Sequence, residues 1–440
     1  VLRLHDTAYG TVRELTLRDP GRVSIYVCGP TVYDVPHIGH GRAALTYDIL
    51  RRYLEWTGLA VDHVSNITDI DDKIIQRANE HGRSAADVAA EFEQAWWDAV
   101  DALGILRPTH DPHATAFVDR MVELIGELMA ADKAYETDDG VYFVSESVPD
   151  YGLLARQTLD SLRTGARVEV EEQKRSPLDF VLWKKSKPGE PSWASPWGPG
   201  RPGWHTECVV MSLDLLGDGF DLHSGGLDLM FPHHENERAQ AVATGNAFAR
   251  HWMHHAFVEV GGEKMSKSLH NFTSLTDLLA RHDSRAYRLL VLRSHYRSPM
   301  EVTPETMADA ESGLDRLDSF ARRFKPGADA NQAALDRFRT LMDDDLRTPQ
   351  AVALLFDLVS QANADDDAGA AAAAYEVAGA LGLVLRGDAE EIDVDTQALM
   401  AERDEARAAR DFARADAIRD ALQSQGWVVE DTPEGTRVHR

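Results

Sequence analysis

Three short stretches of this chain carry side chains suited to binding a nucleotide. His37-Ile38-Gly39-His40 places two imidazoles three positions apart around a glycine. At a helix start, such a tetrapeptide offers unpaired N–H groups and a positive dipole end, with both rings on one side of the first turn, a seat for phosphate. Gly39 lets a base or ribose approach the backbone closely. Taken alone, the tetrapeptide is equally well read as two helix-capping histidines. Lys264-Met265-Ser266-Lys267-Ser268 follows Gly261-Gly262. Its two lysines suit a flexible clamp on β- and γ-phosphates, although a solvated surface loop has the same composition. Gly225-Gly226-Leu227-Asp228 lies between them and offers close backbone approach plus a carboxylate for ribose hydroxyls. The plainer alternative is a tight turn capped by Asp228.

A fourth cluster points to a metal. His233-His234-Glu235-Asn236-Glu237 follows Pro232, a residue favoured at the first position of a helix. His233 and Glu237, four apart, then share one helix face and form half of a zinc site, although a salt-bridged pair is the commoner use of that spacing. The only two cysteines, Cys28 and Cys208, would complete a Cys, Cys, His, Glu set suited to tetrahedral Zn²⁺. Two buried thiols are the bland alternative.

These residues need elements to position them. Residues 23–27 are β-branched and aromatic, and Cys28-Gly29-Pro30 breaks the strand. From about His40 to Trp56 apolar residues recur at helical spacing, with Gly58 as a stop, and residues 59–64 read as the next strand. Strand, turn, helix, strand is a βαβ unit, so the fold class is α/β, with a ligand crevice at the carboxyl ends of a parallel sheet. Gly140–Val144 reads as a strand within an insertion. Beyond Pro304 the pattern is helical, residues 387–395 read as an acidic linker, and residues 401–424 read as one Arg/Ala-rich helix. Arg403, Arg407, Arg410, Arg414 and Arg419 can form a stripe along it, with Trp427 or its neighbours available to an unstacked base; an Ala-rich helix held by i,i+4 pairs is the competing reading.

Composition sets outer bounds. With 440 residues, two to four domains are expected. At 43% hydrophobic and 27% charged the chain is ordinary for a soluble protein, and no apolar run approaches the roughly 18–20 residues that span a bilayer. The first residues lack the pattern of a secretory signal, so a cytoplasmic protein is expected. A net charge of -27 opposes non-specific attraction to a polyanion, so a nucleic acid must be held by local basic clusters.

The histidine tetrapeptide and the lysine loop, in this order, resemble the paired nucleotide signatures of class I aminoacyl-tRNA synthetases. The stretches Tyr26–Asp34, Asn66–Lys73, Gly200–Cys208, Phe231–Glu237, Asp343–Pro349 and Glu430–Arg437 resemble the cysteinyl-tRNA synthetase family in particular. The resemblance implies a Rossmann-like parallel-sheet catalytic domain over residues 1–300, with a connective insertion at about 115–205 and the lysine loop at about 260–272. An α-helical bundle over 301–388 and a small C-terminal anticodon-recognition module over 396–440 follow. It places the zinc ligands on Cys28, Cys208, His233 and Glu237. ATP contacts fall on Gly39, Gly225, Gly226, Asp228 and Lys267, the catalytic set is His37, His40, Lys264 and Lys267, and cysteine contacts are Thr31, Thr68 and Trp204. The implied partners are L-cysteine, ATP with Mg²⁺ and tRNA(Cys), and the implied state is a monomer. His270, Ser224 and Val438 depart from the family pattern. Two rivals remain: a ligase that joins cysteine to an amino sugar, and a non-catalytic zinc- and nucleotide-binding regulator. The long helical region and the C-terminal module favour the synthetase.

Overall fold

The apolar run Val23–Val27 is buried on both faces because it lies inside a parallel sheet, where strands carry no polar face. The structure, a computed structural model, describes residues 1–159, 161–162, 173–260, 263–264, 273–387, 394–432 and 435–439. A short antiparallel pair opens the chain, β1 (Arg3–Asp6) and β2 (Thr11–Glu14). Then come β3 (Arg22–Val27), α1 (Ile38–Trp56) and β4 (Ala60–Ser65), which form the expected βαβ unit. Helix α1 starts slightly earlier than its apolar periodicity suggests, because His37 caps it, and Gly58 at φ 92° turns the chain away at its end.

Two helices follow, α2 (Asp72–His81) and α3 (Ala85–Ala102), capped by Asp71 and Ser84. The insertion contains α4 (Val118–Ala130) and an antiparallel sheet of β5 (Ala134–Glu136), β6 (Gly140–Phe143), β7 (Phe180–Lys185) and β8 (Gly200–Pro202). Helix α5 (Trp204–Leu216) leads back to the main sheet at β9 (Leu222–Gly226), and α6 (Glu235–Ala243) connects β9 to β10 (His251–His255).

The main sheet runs in the order β10-β9-β3-β4, all parallel. From β3 the chain moves outward to β4 and later returns to β9 on the other side of β3. That reversal opens a crevice between the carboxyl ends of β3 and β9, the usual ligand position in such sheets. Cys28 ends one strand and Gly225-Gly226 ends the other.

The chain continues with β11 (Val258–Val260), β12 (Glu263–Lys264), α7 (Leu275–Leu279), α8 (Ser284–Leu292) and β13 (Met300–Glu301), and then helices. These are α9 (Pro304–Arg323), which belongs to the first unit as far as Leu314, α10 (Gln332–Asp343), α11 (Thr348–Asp365) and α12 (Ala368–Ala380). Buried charges brace this unit. Asp48 of α1 accepts from Arg288 Nη1 of α8 at 2.5 Å and from Leu106 N at 2.9 Å. Arg42, buried on α1, donates to the carbonyls of Phe257 and Ser298 at 2.5 Å each.

The chain divides into two compact units, Val1–Leu314 with Ala328–Val384, and Asp315–Gly327 with Leu385–Arg440. In the second unit, α13 (Val394–Ala408) and α14 (Phe412–Ser424) precede a hairpin of β14 (Val428–Thr432) and β15 (Gly435–His439). The expectation of a single Arg/Ala-rich helix is corrected here. Arg410 sits at φ 62° and Asp411 caps a new helix through Arg414 N, so a capping aspartate outweighs the helix propensity on either side. The arginine stripe does not form: Arg403 is buried and donates to Thr436 Oγ1 at 2.7 Å, and Arg414 pairs with Glu402. Trp427 is not available to a base, since it is buried with Ile418, Leu422, Val429 and Val438 in the core of this unit. Val438 therefore occupies a packing position. Of the expected acidic linker, residues 388–393 lie outside the described residues.

Candidate active site

The four expected metal ligands converge. Cys28 Sγ and Cys208 Sγ are 3.8 Å apart, Cys208 Sγ and His233 Nε2 3.6 Å, and Cys28 Sγ and Glu237 Oε1 3.6 Å. His233 Nε2 lies 3.0 Å from Glu237 Oε1. Two thiolates bound to tetrahedral zinc at its usual bond length stand roughly 3.8 Å apart, and a thiolate and an imidazole nitrogen roughly 3.5 Å. The edges of this tetrad fit that geometry. Its members come from the end of β3, the second turn of α5, and a short turn (Met230–His234) leading into α6. That turn corrects the expectation of a helix beginning at Pro232. Phe231 is extended, at φ -143° and ψ 131°, its bond to Pro232 is cis, and the regular helix begins only at Glu235.

Electrostatics point to a cation. Burial, and then the neighbouring Cys208 and Glu237, push the Cys28 thiol well up. Burial opposes ionisation of Glu237, yet His223 and His233 bring its carboxyl down to about 2. Burial also opposes the charge on His233, but Glu237 and then Cys208 hold it up to about 9. Burial opposes ionisation of Cys208, yet hydrogen bonds with Cys28 and His233 bring its thiol down to about 6, and a divalent ion would let Cys28 ionise as well. The donor set therefore fits zinc.

A shell of histidines surrounds the tetrad, and sequence reasoning missed it. His223 donates from Nε2 to Glu237 Oε2 at 2.7 Å, and His205 Nδ1 lies 2.7 Å from His233 Nδ1. Such partners fix the orientation of metal ligands. His234 Nε2 lies 3.2 Å from Cys28 Sγ, and Cys28, His223, His234 and Glu237 form a second, overlapping set of possible ligands. His234 Nδ1 in turn contacts His254 Nε2 at 2.8 Å. The first set offers two soft sulfur donors where the second offers one, which makes it the better match for zinc. The unusual number of histidines, 18, was the available sequence signal.

Next to this cluster, at the carboxyl ends of β3 and β9, is a cavity of about 390 Å³. Cys28 is the member of the tetrad that lines it, together with Thr31 and Trp204. The Trp204 ring stacks on His233 with centroids 3.9 Å apart. Thr68 is placed differently. It is buried away from the cavity and donates to Glu207 Oε2 at 3.3 Å. His37, Gly39, His40, Gly225, Gly226 and Asp228 line the other side. His37 and His40 cap α1 reciprocally: each Nδ1 accepts from the other's backbone N–H, at 3.3 and 3.2 Å, and the rings stack at 3.7 Å. The capping and phosphate-binding readings are thus compatible, since capping holds both rings at the mouth of the crevice. A Cβ on Gly225 would stand 2.8 Å from Cε1 of the buried His234, which explains that glycine, whereas one on Gly226 would displace the Asp228 carboxylate, 2.5 Å away at Oδ1. Ser224 is buried in β9, and its carbonyl accepts from Cys28 N at 3.2 Å. The backbone of Lys264 pairs with Glu259, whereas Lys267 and His270 lie outside the described residues.

The fold and the crevice define a class of protein before they define a member. The structure of Mycobacterium tuberculosis methionyl-tRNA synthetase in complex with methionyl-adenylate superposes with a TM-score of 0.60 at 16% identity, over 82% of this chain and 89% of that one. This likeness shows a class I synthetase fold. The family of class I (C) tRNA synthetase catalytic domains matches residues 14–312, a DALR domain matches 337–386, and a cysteinyl-tRNA ligase anticodon binding domain matches 389–438. Cysteine–tRNA ligases of Halorhodospira halophila and Alkalilimnicola ehrlichii are 47% and 46% identical to it, each over 100% of both chains. The chain belongs to the cysteine–tRNA ligase family. Among the described residues no helix is long and apolar enough to cross a membrane.

Proposed function

We propose that this chain activates L-cysteine with ATP and Mg²⁺ and transfers it to the 3′ end of tRNA(Cys), acting as a monomer in the cytoplasm. The observation that carries the reading is the tetrad of half-buried Cys28 and buried Cys208, His233 and Glu237, opening through Cys28 onto the cavity that His37 and His40 also line. Zinc held by these four residues would supply a soft Lewis-acid position for the substrate thiolate, a bond that the hydroxyl of serine cannot match. That distinction matters because an apolar pocket alone separates such near-isosteres weakly.

The chemistry needs no general base for its first step, because the amino-acid carboxylate is already a nucleophile. It attacks the α-phosphorus of ATP in line, forming cysteinyl adenylate and releasing pyrophosphate. The task left to the protein is positioning and charge stabilisation. His37 and His40 face the α-phosphate, Lys264 and Lys267 hold the leaving pyrophosphate, and Asp228 takes the ribose. Gly39, Gly225 and Gly226 let the nucleotide approach the backbone. Trp204 and Thr31 flank the cysteine, and Thr68 supports that wall from behind through Glu207. Residues 1–300 serve as the catalytic domain and 301–388 as the helical bundle. The C-terminal module, residues 396–440, reads the tRNA.

The test is to offer the purified protein cysteine and ATP with either tRNA or an amino sugar as acceptor. Cysteine-dependent charging of tRNA supports the reading. Transfer to the sugar alone, or no pyrophosphate exchange at all, overturns it.

A further inference from the structure

The two thiols of the tetrad are 180 residues apart in the chain, yet their sulfurs lie 3.8 Å from each other. One sits at the end of a strand and the other in a helix, so something must set that distance. The segment after Cys28 runs beside the segment after β4. Thr68 N donates to the carbonyl of Pro30 at 3.0 Å, and Val32 N donates to the carbonyl of Thr68 at 3.2 Å. The two backbones approach so closely that a Cβ on Gly29 would collide with the carbonyl oxygen of Asn66.

Three buried side chains, Asn66, Thr68 and Glu207, join the two cysteine-bearing segments. The N–H of Gly29, next to Cys28, donates to Asn66 Oδ1 at 2.9 Å. Asn66 Nδ2 donates to Thr68 Oγ1 at 3.1 Å, and Thr68 Oγ1 donates at 3.3 Å to Glu207 Oε2, next to Cys208. The first link fixes the direction of the others. A backbone N–H can only donate, so the atom facing it is the carboxamide oxygen, and Nδ2 then faces Thr68. The Thr68 hydroxyl accepts on one side and gives its proton to the other. Cys208 Sγ itself lies 3.9 Å from Asn66 Oδ1. None of the three side chains lines the cavity, so each acts through other residues.

Given the metal site proposed above, we infer that Asn66 is a positioning residue for it: through its carboxamide and Thr68 it sets the separation of Cys28 and Cys208, and so the sulfur edge that zinc meets. Buried hydrogen bonds are directional, and leaving one partner unpaired is costly, so a relay satisfied at every link stiffens a gap that packing alone would leave loose. The two thiols are thereby held ready before an ion arrives.

Cobalt(II), added to the metal-free full chain, is the probe, because its absorption bands report both thiolate ligation and tetrahedral geometry. Asn66→Ala lowers Co²⁺ affinity by about 10–100-fold and shifts the ligand-field bands. Thr68→Val keeps the side-chain shape, removes the hydroxyl and moves both readouts the same way by a smaller amount. Thr68→Ser returns the hydroxyl and restores the parent values. A role confined to stability would lower the melting temperature and leave the bands in place. Parent-like affinity and bands in folded Asn66→Ala, or in Thr68→Val, overturn the inference, and where Asn66→Ala does not fold the Thr68 pair decides alone. A parent protein without a sulfur-to-cobalt charge-transfer band overturns the metal site and this role with it, whereas a parent band with unresponsive variants overturns this role alone.

Discussion

At the scale of single residues, the proposed zinc would compete with protons at the tetrad. Zinc needs a neutral imidazole and ionised thiols. In the metal-free protein His233 is held protonated up to about 9, chiefly by Glu237 against the opposing effect of burial, and Cys28 is held as the thiol. Zinc binding would therefore expel protons, and affinity should rise with pH through the region where His233 loses its own and beyond it, while Cys28 is still a thiol. Calorimetry in buffers of differing ionisation enthalpy should record that release, and a pH-independent affinity between about pH 7 and 9 would contradict it. His223→Ala, which frees Glu237 Oε2, should lower zinc affinity by about 10–100-fold while leaving the four ligands in place. Lys267→Ala should slow cysteine-dependent pyrophosphate exchange strongly with zinc content unchanged, because its proposed partner is phosphate and not the metal. The members of the tetrad were legible in the sequence, since two lone cysteines and a His/Glu pair at helical spacing have few joint explanations. The shell was not. His205, His223 and His254 come from separate elements, and only the fold brings them to one place.

Secondary-structure elements hold these residues through buried charge as much as through apolar packing. Asp48 ties α1 to α8 and to the loop after α3, with its side chain fully buried against Arg288. Asp48→Ala would leave the Arg288 guanidinium without its counter-charge, and a loss of about 3–5 kcal/mol in denaturant unfolding is expected. No change in stability would mean that the pair is dispensable. The βαβ unit was readable because apolar periodicity, a Gly/Pro break and a helix stop all agree over residues 23–65. The C-terminal helices were not, because composition there favours one helix and a single capping residue, Asp411, decides for two. The same turn leaves Phe412 63% exposed beside the exposed Arg410 and Arg414, where Trp427 had been expected to act. If this module meets an unstacked base, Phe412→Ala should reduce tRNA charging and spare pyrophosphate exchange, whereas Trp427→Ala should destabilise the module itself.

For the whole molecule, the proposed function makes selection of the amino acid, activation and tRNA reading separable tasks. A chain ending at Asp388 should keep cysteine-dependent pyrophosphate exchange and lose most tRNA charging; undiminished charging would make the tail structural. The overall charge of -27 fits this division, since a polyanion has to be recognised by local groups and not by the field of the whole protein. The central claim is that the tetrad selects cysteine through its thiolate. Zinc K-edge X-ray absorption on the protein, before and after saturation with cysteine, tests it most directly. The account predicts a first shell of two sulfurs with lighter N/O ligands that gains a third sulfur when cysteine is added and is unchanged by serine. A protein without zinc, or a sulfur count that stays the same at saturating cysteine, would contradict it.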